Sequence, residues 1–193
     1  MDEGAREGRW FLDACVLVPQ LPREIILGAA GAGLITPFWS PRVLEEWRIA
    51  AARRGGAAAG VEAERDAVRR AEAMAAAYPA ASVRPDPERE AVLAGLMRDR
   101  ADAHVVAAAL VAHAVVITFN LRDFPARRLA EHGVAVSHPD AALLALMDDH
   151  GPGMSTVIET ALARLDRPVP DRAAGRAALK RCGMPRCGKL WAA

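Results

Sequence analysis

Between Ala103 and Leu121 the chain carries no Lys, Arg, Asp or Glu, and it changes character halfway. The first part, AHVVAAALVAH, is alanine-rich and suits a buried helix. The second, VVITF at Val115 to Phe119, is β-branched and suits a buried strand. A helix that runs straight into a strand buried on both faces is half of a βαβ unit. Such units build parallel sheets with helices on either side. The contrast also argues against a membrane span, although the run approaches bilayer length, because His104, His113 and Asn120 interrupt it.

The same alternation recurs along the chain. Arg9 to Ala14 reads as a strand, and Arg23 to Gly31 as a helix entered past Pro19 and Pro22. Leu34 to Phe38 is extended. Ser40 followed by Pro41 is an N-cap and a first-turn proline, opening a helix that carries Val43, Leu44 and Trp47. Gly55, Gly56 and Gly60 predict a break before a helix from Val61 to Tyr78. Ala81 to Arg84 suits an edge strand, Glu88 to Met97 and Ala103 to His113 suit helices, and Pro125 opens a short helix to His132. Val134 to Ser137 suits a last strand. From Pro139 the pattern is helical: Asp140 to Asp149, Met154 to Leu165 and Asp171 to Arg181. The expectation is a three-layer α/β/α fold with a central parallel sheet of four or five strands and a C-terminal helical appendage. Residues 1–8 read as a flexible tail, 9–139 as the main domain and 140–193 as the helical extension.

A length of 193 residues suits one such domain, and a hydrophobic share of 52% is enough for a sizeable core. Lys+Arg 25 against Asp+Glu 24 leaves no global field that would attract nucleic acid by net charge alone. Cys15, Cys182 and Cys187 make no disulfide framework. Cys15 reads as a small buried hydrophobe, and the C-x₄-C pair lacks companion ligands for zinc. The polar opening, Met1 to Arg9, is unlike a secretory signal, so a cytoplasmic protein is expected.

Four acids then stand out: Asp13 in FLDACVLVP, Glu46 in WSPRVLEEW, Asp102 in DRADAHVVAAA and Asp123 in TFNLRDFP. Each lies at the edge of an apolar run. Taken singly, each is ordinary: Asp13 and Asp123 suit turns, Asp102 an N-cap, and Glu46 a solvated helix face. His104 reads as a packed or capping residue, and Trp39 and Trp47 as core. Their joint placement says more. Ligands of an open parallel sheet bind beyond the carboxyl ends of its strands. Asp13 follows the first strand, Asn120 and Asp123 follow Val115 to Phe119, and Asp102 starts the helix that feeds that strand. Converging carboxylates repel unless a cation joins them, and hard oxygen donors select Mg²⁺ or Mn²⁺. That points to metal-assisted hydrolysis at a phosphate. No protein nucleophile is evident. An aspartyl phosphatase is disfavoured, because it would need an Asp where Cys15 stands.

These motifs resemble those of the PIN domain, and in particular of VapC-type toxins of bacterial toxin–antitoxin pairs, over roughly Arg9 to Pro139. LDACVL is similar to the family's opening motif, with Asp13 at its first carboxylate. WSPRVLEEW is similar to the segment whose final acid, Glu46, is the second. In DRADAHVVAAA, Asp102 matches the third. TFNLRDF is similar to the last motif, whose acid stands at the position of Asn120 or of Asp123. The resemblance implies an endoribonuclease dependent on Mg²⁺ or Mn²⁺. Its metal set is Asp13, Glu46, Asp102 and Asp123, with Asn120 in support; Arg122, Arg127 and Arg128 follow the last motif and suit either contact with RNA phosphates or a solvated helix face. It also implies a homodimer, an RNA substrate and a cognate antitoxin, with no membrane. Asn120 stands where many relatives carry an acid. That keeps open a catalytically degenerate module that only binds a protein partner, or a non-toxin PIN nuclease in RNA processing.

Overall fold

The structure is a computed structural model and describes residues 8–54, 56–167 and 169–193. All but Gly8 of the expected tail lies outside the described residues, as does Gly55. A parallel sheet of order β2-β1-β3-β4 forms the middle layer, from β1 (Arg9–Leu12), β2 (Thr36–Phe38), β3 (Val115–Ile117) and β4 (Val136–Ser137). A parallel bridge from Trp39 to Ser82 adds a fifth extended segment beside β2, where an edge strand was expected. Trp10, Phe11 and Leu12 alternate between the two faces, yet none is more than 3% exposed, so helices cover both sides.

The helices are α1 (Ala14–Leu17), α2 (Gln20–Gly31), α3 (Pro41–Arg54), α4 (Gly56–Ala77), α5 (Pro87–Ala94), α6 (Ala103–Val111), α7 (Ala126–Glu131), α8 (Pro139–Ala163), α9 (Arg172–Arg181) and α10 (Pro185–Trp191). A 3₁₀ turn, Arg100–Asp102, leads into α6. Local chemistry explains the starts. Ser40 Oγ accepts from the Val43 amide at 3.2 Å, and the Asp86 side chain caps α5 through the Glu88 and Arg89 amides. Gly60 does not break α4, as its sequence context suggested. It lets α4 approach α3, because a Cβ there would stand 2.8 Å from the Ala52 carbonyl oxygen.

Beyond Pro139 the two expected helices are present and meet directly, with no loop between them. α8 is two helical halves that meet at a kink: His150 leaves helical geometry (φ −131°, ψ 34°) two residues before Pro152, which has no N–H to donate to the preceding turn. The first half of α8 faces Trp10, Val115 and Ile117 of the sheet. Its second half packs on α2, with Val157 against Gly28. α10, which local sequence pattern does not signal, docks on α8 and α9. Asp140, 5% exposed, accepts from the Arg186 and Cys187 amides at 3.1 and 2.8 Å, capping the start of α10 from another helix. The hydrophobic core runs without interruption from Trp10 to Trp191.

Candidate active site

The site is built where β1 and β3 end. The Asp13 amide donates to the Ile117 carbonyl at 3.1 Å, prolonging the β1–β3 pairing to the point where α1 turns away. Asp13 is the residue before α1, but its side chain does not cap the helix. Its Oδ2 instead accepts from Thr118 Oγ1 at 2.6 Å and from Cys15 Sγ at 3.0 Å. Thr118 is fully buried, and its hydroxyl also accepts from the Asn120 amide at 3.0 Å. One hydroxyl thus ties the end of β1 to the end of β3. Cys15 is half-buried and bonded in this network, not the inert small hydrophobe its neighbours suggested. Burial, and then the Asp13 charge, push its thiol up to about 12. A thiol at that value is no nucleophile at neutral pH.

Asp123 sits in the turn after β3. Its amide donates to the Asn120 carbonyl at 3.2 Å, and its Oδ2 accepts from the Asn120 side-chain amide. Its own carbonyl accepts from the Arg98 amide at 3.5 Å, which ties this turn to the loop leading to Asp102. Asp102 ends the 3₁₀ turn and does not cap α6 with its side chain. The cap of the 3₁₀ turn is Asp99, whose Oδ1 accepts from the Ala101 amide at 2.9 Å. Burial raises the Asp102 carboxyl to about 6, and the charges of Asp13, Asp99 and Asp123 add to the rise. Asp102 therefore lies within reach of the Asp13 and Asp123 charges, although the three come from distant parts of the chain.

Glu46 is approached from a different side. Its Oε1 accepts from His104 Nε2 at 3.1 Å and from Arg42 Nε at 3.2 Å. Burial pushes its carboxyl up, but the hydrogen bond and charge of His104, with those of Arg42, outweigh this and hold it below the usual range. Arg42 reaches on to Glu90 Oε1 at 3.4 Å and to the Ala101 carbonyl at 3.1 Å, so it bridges α3 to the turn that carries Asp102. Glu45, the neighbouring acid, points to Arg48 instead, with Oε1 2.5 Å from Nη2. Arg122, Arg127 and Arg128 are exposed, and Arg128 donates to the Leu96 carbonyl at 3.3 Å.

A family model for the PIN domain matches residues 9–122, more than half of the chain. The chain belongs to the PIN domain family. No curated protein and no solved structure gives a significant match. Asp13, Glu46, Asp102 and Asn120 fall inside the matched residues, and Asp123 lies one residue beyond. PIN domains are in general metal-dependent nucleases, so membership points to nuclease chemistry.

The residues fit a divalent cation in chemistry. Asp13, Glu46, Asp102 and Asp123 offer hard oxygens, and a cation would favour the ionised form of Asp102 that burial, and then its neighbouring acids, disfavour. Their side chains do not close around a single point: among the described residues no three His, Cys, Asp or Glu side chains stand near enough together to hold an ion. Thr118 and the His104–Glu46 bond are absent from the residues that sequence motifs single out. Thr118 had a usable signal, as the polar residue that ends the β3 run. The His104 bond had none, since it joins α6 to α3. Among the described residues no helix is long and apolar enough to cross a membrane.

Proposed function

We propose that this PIN domain is a Mg²⁺- or Mn²⁺-dependent endoribonuclease and the toxin of a toxin–antitoxin pair. One observation carries the nuclease part: the PIN domain match spans residues 9–122, and within this fold Asp13 follows β1, Asp123 lies in the turn after β3 and Asp102 stands at the start of α6. Asp13, Asp102 and Asp123 would hold the ion, with Glu46 completing the set and Asn120 supporting Asp123. When bound, the cation supplies an activated water and neutralises charge growing on the cleaved phosphodiester. The chain's own work is to keep these oxygens at the sheet edge. Thr118 and Cys15 orient Asp13 by donating to Oδ2, which leaves Oδ1 for coordination. Arg122, Arg127 and Arg128, exposed on the turn and helix beside Asp123, would meet RNA phosphates.

The toxin part rests on the resemblance of the four motifs to VapC-type proteins, and so do a homodimer, a cytoplasmic location and a small antitoxin that covers the site. Cleavage of single-stranded RNA with Mg²⁺ or Mn²⁺, lost in Asp13→Asn, supports the nuclease. Growth arrest on expression without a partner, relieved by Asp102→Ala, supports the toxin. Cleavage without growth arrest would instead favour a PIN nuclease in RNA processing. The Asn120–Asp123 bond favours a second reading, a degenerate module that binds only a protein partner, because the amide engages the fourth acid and adds no charge. That reading requires that calorimetry detect no Mn²⁺ binding.

A further inference from the structure

His104 is 1% exposed, and among the described residues its Nδ1 has no hydrogen-bond partner. Its neighbours along α6 are Ala103, Val105 and Val106, all buried. A hydrocarbon side chain would suit these surroundings, and burying an imidazole costs more unless hydrogen bonds offset it. The one bond His104 makes goes to Glu46 Oε1, at 3.1 Å. A carboxylate only accepts, so Nε2 carries the hydrogen and donates. The ring is also held still, because α6 packs against both β1 and β3. Glu46, by contrast, is a long side chain with 37% exposure. Its two partners, His104 and Arg42, hold the same oxygen, and among the described residues Oε2 is bonded to neither. Arg42 is the looser of the two: it is 48% exposed and divides its donors among Glu46, Glu90 and the Ala101 carbonyl.

We propose that His104 is a positioning residue for Glu46, a rigid buried donor that pins Oε1 and so sets the rotamer in which Oε2 is offered to the divalent cation. The assignment rests on the nuclease reading above. Outer hydrogen-bond partners of metal ligands fix ligand orientation, and losing one lowers metal affinity by roughly 10–100-fold. Here the ligand is a glutamate with several free torsions, so a fixed donor removes much of the ordering that the ion would otherwise impose. Asp13 has its counterpart donors in Thr118 and Cys15, and His104 plays that part for the acid that comes from a helix.

The test is Mn²⁺ binding to the full chain by calorimetry, with wild type, His104→Leu and His104→Gln, each also in a Glu46→Gln background. His104→Leu is expected to weaken binding by about 10–100-fold. His104→Gln, whose amide nitrogen reaches the place of Nε2, is expected to recover most of the loss. In the Glu46→Gln background His104→Leu should change little. Three results would overturn the assignment: wild-type affinity in His104→Leu, no recovery in His104→Gln, or an undiminished effect without Glu46. If His104→Leu does not fold, His104→Asn replaces it, since its amide reaches only the place of Nδ1. Equal affinity in the Gln and Asn variants then refutes the role. Asp13→Asn separates this inference from the reading beneath it. Mn²⁺ binding abolished by Asp13→Asn but untouched by His104→Leu removes only the role of His104. Binding unchanged in Asp13→Asn, or absent from wild type, removes both.

Discussion

The two sides of the acidic site are held in different ways. Asp13, at the end of β1, is fixed by backbone pairing to β3 and by uncharged donors, the Thr118 hydroxyl and the Cys15 thiol. Glu46, on α3, is fixed by an imidazole and a guanidinium. The strand-end acid needs little from its side chain, because the sheet already aims it. The helix-borne acid depends on long side chains and on a partner from another helix. Neutral donors orient a carboxylate without discharging it. A cationic partner such as Arg42 also competes with an incoming metal ion for the same charge.

The largest expected effect is on the strand side. Asp13→Asn should reduce metal-dependent RNA cleavage by more than the roughly 100-fold that loss of an outer partner causes, with little change in thermal stability. An activity loss matched by unfolding would erase the contrast. Glu46→Gln should weaken Mn²⁺ binding less than Asp13→Asn in the same calorimetric titration. A Glu46 effect as large would mean that the helix side is as firmly aimed as the strand side.

The pH response should come from a third acid, Asp102, at the start of α6. The Asp102 carboxyl, raised to about 6, takes up its proton in the folded state before the unfolded chain does. Its contribution to stability is therefore fully present below the ordinary carboxylate pKa and is lost as pH rises through about 6. Cation binding needs the ionised form, so Mn²⁺ affinity should fall as pH drops through that value, with protons released on binding near it. Calorimetry in buffers of different ionisation heat measures this release, and its absence would detach Asp102 from the ion. The smallest effect is expected of Thr118→Val. Losing one hydrogen bond to Asp13 is worth about 1 kcal/mol, or roughly fivefold in Mn²⁺ affinity. A much larger loss would show that the hydroxyl, and not strand pairing, aims Asp13.

How much of this could be read in advance differs along the chain. The β1, β2, β3 and β4 runs, the Ser40 cap of α3 and the burial of Trp39 and Trp47 follow from local pattern, since each is set by residues within a few positions. Gly60 misled because a glycine that permits helix contact looks the same as one that ends a helix. The break within α8 was legible too, because the Gly-Pro-Gly run after His150 marks the kink where its two halves meet. α10 was missed because its cap, Asp140, comes from another helix.

The order and type of the acids, and the strand–helix alternation that sends Asp13 and Asp123 to one edge, are written in the residues themselves, because side-chain chemistry and hydrophobic period are local quantities. Which oxygen of Glu46 is held, that His104 holds it, and that Thr118 joins two strand ends are not. Those depend on distances between residues far apart in the chain, and only packing brings such groups within hydrogen-bond reach.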